Sequence, residues 1–132
     1  MDSVFPSLAK FVGPQTLILS IAAGRTLSSF EKFLPPQTAI VRAMPNSPAQ
    51  VGRGITVCVS NSALKPSQRE YATEILSCLG EVLWINHETD MDAVTAVSGS
   101  GPAYVFHFVE CLTHAGIKAG LSSEVAKRLA RA

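Results

Sequence analysis

Apolar residues fall into two kinds of run along the chain. The first kind is short and nearly unbroken: residues 16–22, 38–44, 54–60 and 81–85, each closed by glycine, proline or a polar cluster. Runs of that length without helical spacing predict strands, and the first two are expected to be buried on both faces. The second kind is spaced for helices. Residues 3–12 are weakly helical, with Leu8, Phe11 and Val12 on one side. Residues 26–34 predict a helix capped by Thr26 or Ser28, with Leu27, Phe30, Phe33 and Leu34 on one face and Pro35-Pro36 as its stop. Pro66-Ser67-Gln68 opens another, carrying Tyr71, Ile75, Leu76 and Leu79, and Gly80 sits at its end. Trp84 is expected in the core.

Strands alternating with helices over short connections predict an α/β layer with a mostly parallel sheet. The strand signal stops near residue 88. From Met91 onward the pattern is helical, interrupted at Ser98-Gly99-Ser100-Gly101-Pro102 and again at Gly116, Gly120 and Leu121-Ser122-Ser123. The expected division is therefore an α/β domain over 1–88 and the start of an all-α domain over 89–132. The chain opens in mid-pattern and closes inside a helix, so both ends are expected to interrupt a larger fold.

Composition narrows the function. A net charge of +1 gives no basic surface for nucleic acid or a lipid headgroup layer. No apolar run reaches the roughly 20 residues that span a bilayer, and Met1-Asp2-Ser3-Val4-Phe5-Pro6 lacks the basic start and apolar stretch of a signal peptide. Cys58, Cys78 and Cys111 are odd in number and too widely spaced for a zinc pattern. They predict reduced thiols in a cytoplasmic protein without a metal.

Three places carry candidate chemistry. In open α/β sheets ligands lie beyond the carboxyl ends of parallel strands. That places Ala22-Ala23-Gly24 and Met44-Pro45-Asn46 on one rim, where small residues admit a flat ring and Asn46 offers a donor and an acceptor; ordinary strand-ending turns are the alternative. The Asp92–Tyr104 stretch concentrates glycine, serine and proline between apolar runs. Its turn, capped by Ser100 or Gly101, is expected to present amides that attract anions. It imitates a dinucleotide fingerprint, but Tyr104 stands where the third glycine belongs. Glu88 lies at the expected domain junction, where its carboxylate can meet a cationic nitrogen or simply face water. His107, Glu110, Cys111 and His114 share a helix face, read as a mixed face in place of a metal site.

Leu19-Ser20-Ile21-Ala22-Ala23-Gly24, Val41-Arg42-Ala43-Met44-Pro45-Asn46-Ser47-Pro48, Met91 through Tyr104, and Ala115 through Leu121 together resemble pyrroline-5-carboxylate reductase. The resemblance runs over nearly the whole chain, with the motifs in family order. It implies the C-terminal half of a Rossmann-like domain, then the first helices of an all-α dimerisation domain. It implies reduction of 1-pyrroline-5-carboxylate to L-proline by NADPH or NADH, in a homodimer or higher homo-oligomer. Carried over by position, Ala23 would bind the cofactor and Glu88 the substrate; by location alone, Ala22, Met44 and Asn46 would join Ala23 at the cofactor, and Ser98, Gly99, Ser100 and Gly101 would join Glu88 at the substrate. The family's glycine-rich phosphate loop, its Ser-Pro-Gly-Gly-Thr substrate loop and its proton-donor region have no counterpart here, so no catalytic residue is assigned. The chain alone is expected to be inactive and poorly soluble. The alternative is a non-catalytic nucleotide-binding or oligomerisation module built on the same fold.

Overall fold

The computed structural model describes residues 5–132, which form two compact units, one ending at Gly99 and one over Ser100–Ala132. The first carries α1 (Phe5–Leu8), β1 (Leu17–Ser20), α2 (Leu27–Glu31), β2 (Ala39–Met44), β3 (Gly54–Ser60), α3 (Pro66–Ser77), β4 (Gly80–Trp84) and α4 (Met91–Val94). The expected first helix begins in part outside the described residues. Its Phe11 is 82% exposed, so that residue anchors nothing.

The four strands form one sheet in the order β1-β2-β3-β4. β1 pairs with β2 and β3 with β4 in parallel, each across a connection that contains a helix. β2 and β3 are antiparallel. Residues 45–53 between them are too few for the crossover of about a dozen residues that a parallel pair requires. β2 is buried at every position, as its unbroken apolar run predicts. β1 is half-buried throughout, because it lies at an edge of the sheet.

Alternation along β2 divides the core into two layers. Ile40 and Met44 join Leu27, Phe30, Leu34, Val59 and Met91, so α2 and α4 cover one face. Val41 and Ala43 join Cys58, Ala72 and Leu76, so α3 covers the other. The expected helix face is therefore rotated: Ala72 and Leu76 point inward, whereas Tyr71 is 59% exposed. Trp84 is half-buried at the edge. Its indole N–H donates to Thr73 Oγ1 at 3.0 Å, and Arg69 stacks 4.3 Å from the ring centre.

Gly80 starts β4, with φ of 129°. A Cβ there would collide with the Gly54 carbonyl oxygen of the neighbouring strand. Glycine is needed here both for the dihedral and for the close approach.

The second unit contains α5 (Gly101–Lys118) and α6 (Ser123–Arg131). Gly116 does not break α5; it lets the helices approach, since a Cβ on it would lie 3.2 Å from Ala126 Cβ. Gly120 is the break, in the left-handed region. Its amide donates to the Ile117 carbonyl and that of Leu121 to the Gly116 carbonyl, the paired bonds of a Schellman stop. Ser122 then caps α6 by accepting from the Val125 amide.

Candidate active site

The parallel register of β1 and β2 sets Ser20 opposite Arg42. Ala22-Ala23 and Met44-Pro45-Asn46 therefore leave the sheet on the same side of the first unit. Ala22 is half-buried and its amide donates to Ser20 Oγ at 3.2 Å; Ala23 is exposed. Met44 is buried at 8% exposure, its side chain in the core layer beneath α2. Asn46 is half-buried, and its Oδ1 accepts from the Ile55 amide at 2.9 Å. That bond ties the outgoing end of β2 to the incoming end of β3, so the Asn46 acceptor holds the rim in shape.

Glu88 has specific partners. Its Oε1 accepts from Arg42 Nη1 at 2.9 Å and from the Leu27 amide at 2.8 Å. Leu27 is the first residue of α2, whose amide has no intrahelical acceptor. Thr26 Oγ1 meanwhile accepts from the Ser29 amide, as a cap. The Arg42 side chain is 6% exposed and that of Glu88 26%. Arg42, the partner of Glu88, is a residue that spacing alone does not single out. Its signal is a lone guanidinium inside the apolar run 39–44, since a charge in a buried strand must find a partner.

The Ser98–Gly101 segment departs from the expected turn. Thr95–Gly99 is π-helical, leading from α4 towards α5, and Ser100 keeps right-handed helical dihedrals. Ser100 stands at the start of α5 without a side-chain capping bond. The Ala103 amide donates to the Ser100 carbonyl at 3.0 Å, and the Ser98 hydroxyl to the Val94 carbonyl at 3.0 Å. The segment's backbone is helical, with no open, amide-lined turn for an anion. Short π segments inside helices recur at functional sites, which keeps Ser98 and Gly99 of interest on different grounds.

Other groups are accounted for structurally. Burial pushes the Cys58 thiol up to about 12, partly offset by the Arg69 charge, so it is protonated and inert at neutral pH. Cys58, Cys78 and Cys111 are all free. His107 and Glu110 lie 3.9 Å apart on the exposed surface of α5. Among the described residues, no three His, Cys, Asp or Glu side chains gather as a metal set, and no helix is long and apolar enough to cross a membrane.

These elements define a protein class: a Rossmann-like α/β unit followed by a helical unit. Residues 88–132 match the family model for pyrroline-5-carboxylate reductase dimerisation. The reductase of Pseudomonas aeruginosa is 45% identical over 129 residues, covering 98% of this chain and 47% of its own. The solved structure of a pyrroline-5-carboxylate reductase from Coxiella burnetii aligns with a TM-score of 0.89 at 36% identity, over 98% of this chain and 48% of that one. A Plasmodium falciparum pyrroline carboxylate reductase, solved with NADP bound, aligns with a TM-score of 0.89 at 37% identity, over 97% of this chain and 51% of that one. The chain is thus related over nearly its whole length to the pyrroline-5-carboxylate reductases. It spans about half the length of the relatives it matches.

Proposed function

We propose that this chain supplies one side of the cofactor cleft of a pyrroline-5-carboxylate reductase, the enzyme that reduces 1-pyrroline-5-carboxylate to L-proline. The observation that supports the reading is the parallel β1–β2 register, which ends at Ser20 and Arg42, so that the chain leaves both strands on one side, through Ala22-Ala23 and Met44-Asn46. NADP in the related Plasmodium falciparum structure supports a nicotinamide dinucleotide, NADPH or NADH, as the ligand. The rim suits one: two alanines present only methyl groups to a flat ring, and the Asn46 amide group retains donor capacity while its oxygen braces β3. Bound there, the dinucleotide would supply the hydride. This chain's residues would orient it and exclude water from its face.

Ser98 and Gly99 at the end of the first unit, and Ser100 and Gly101 at the start of the second, are the substrate-facing positions in this reading. The helical segment from residue 89 belongs functionally with dimerisation, and the protein works as a homodimer or higher homo-oligomer. The match of residues 88–132 to a dimerisation family supports that assembly. The free thiols support a cytoplasmic site.

Titration of the isotope-labelled chain with NADPH tests the reading. Amide resonances of Ala22, Ala23, Met44 and Asn46 are expected to move, and Ala23→Leu, which fills the rim from an exposed position, is expected to abolish the response. Shifts confined to other surfaces would contradict it.

A further inference from the structure

Arg42 presents a physical puzzle. It is 5% exposed in the middle of a strand whose other residues are all apolar and buried. Its Nε is buried without a hydrogen-bond partner. A buried ion pair with an unsatisfied N–H is a poor source of stability, and apolar residues of similar volume commonly serve as well or better. A sheet that needed only cohesion at this position would carry a methionine or leucine. What the pair does provide is geometry. One carboxylate oxygen, Glu88 Oε1, joins a side chain from the centre of β2 to the first amide of α2, while the Glu88 backbone leads into α4. Two of those segments, β2 and α2, adjoin the rim in sequence. Arg42 lies two positions before Met44, and Leu27 closes the short loop that begins at Ala22.

We propose that Arg42 and Glu88 are positioning residues, a clamp that fixes the start of α2, and with it the Ala22–Thr26 loop, against β2. This rests on the reading of that rim as the dinucleotide side. It also gives Glu88 a different task from substrate contact: its carboxylate serves the protein's own amide and guanidinium. Because Glu88 is partly exposed, the clamp can be removed without stranding a charge in the core, provided both charges leave together.

The test compares the wild-type chain with the double variant Arg42→Met/Glu88→Ala and the single variant Glu88→Gln, reading melting temperature, amide exchange and NADPH-induced shifts. The double variant is expected to melt no lower than wild type. Exchange at the Leu27 amide should be about tenfold faster, the scale of one lost hydrogen bond, with exchange in β3 unchanged. The NADPH response at Ala22 and Ala23 should fall with it. Glu88→Gln keeps an acceptor oxygen for the Leu27 amide but removes the countercharge of buried Arg42, so it should retain most of the Leu27 protection and of the NADPH response while melting below wild type. Unchanged Leu27 exchange in the double variant would overturn the clamp. Loss of melting temperature together with protection throughout the sheet would also overturn it, showing a purely structural pair. Faster Leu27 exchange with an unaltered NADPH response would overturn the positioning role. A wild-type chain whose rim ignores NADPH sinks the cofactor reading itself, while Leu27 exchange still judges the clamp separately.

Discussion

Cys58 and Gly80 show how much single residues constrain this fold. The Cys58 thiol sits at 0% exposure between sheet and α3, and burial raises its pKa from 9.0 to about 12. The folded chain therefore holds this proton where the unfolded chain releases it. Stability from Cys58 is complete below pH 9 and is lost as pH rises towards 12. Comparing alkaline unfolding of wild type and Cys58→Ala should reveal a steeper loss of stability in the wild type between pH 9 and about 12. At pH 8 a thiol reagent should modify the exposed Cys78 and Cys111 promptly and Cys58 only on unfolding. Gly80→Ala meets the Gly54 backbone and an unfavourable φ together. It should cost about 2 kcal/mol or more in urea unfolding; a neutral effect would mean that the β3–β4 start can spread. Cys58 was legible as a strand residue with a reduced thiol, and Gly80 as a helix-ending glycine. The reason for Gly80, a strand neighbour's carbonyl, was not, because it depends on register. Arg42 is passed over inside a run read as a buried strand; its charge is the available signal, but its partner lies 46 positions away in sequence.

At the scale of elements, runs and stops place all four strands and the helices between them. The antiparallel β2–β3 pair follows from connection length, a signal that composition hides. The Ser98–Gly101 segment misleads for a clear reason. Glycine, serine and proline favour turns in isolation, whereas here Thr95–Gly99 is π-helical and α5 begins at Gly101. The rotated face of α3 reflects a small residue, Ala72, chosen for close contact with the sheet. At the α5–α6 corner, Gly120 holds φ of 101° and Ser122 caps the next helix. Ser122→Ala should lower stability by about 1 kcal/mol and increase amide exchange at Val125 selectively. Uniform exchange across α6 would show that the cap matters little.

At the scale of the whole molecule, large apolar side chains of α5 and α6 are exposed. Tyr104, Val105, Phe106 and Phe108 on α5 are each at least 60% exposed, and Leu129 on α6 is 64% exposed. A helix apolar on most sides is normally buried. The chain is accordingly expected to self-associate in sedimentation experiments, and Phe106→Lys with Phe108→Asp to reduce that association; a dilute, monodisperse wild-type monomer would argue otherwise. The proposed cofactor rim and the proposed clamp involve residues of the first unit only, so both can be probed in a chain that spans about half its relatives' length. Catalysis is the stricter criterion. The most direct test replaces the matching segment of the Pseudomonas aeruginosa reductase with this chain and measures NADPH oxidation dependent on 1-pyrroline-5-carboxylate. The account predicts turnover, with Ala23→Leu raising the KM for NADPH; a folded, soluble chimera without imine-dependent oxidation would contradict it.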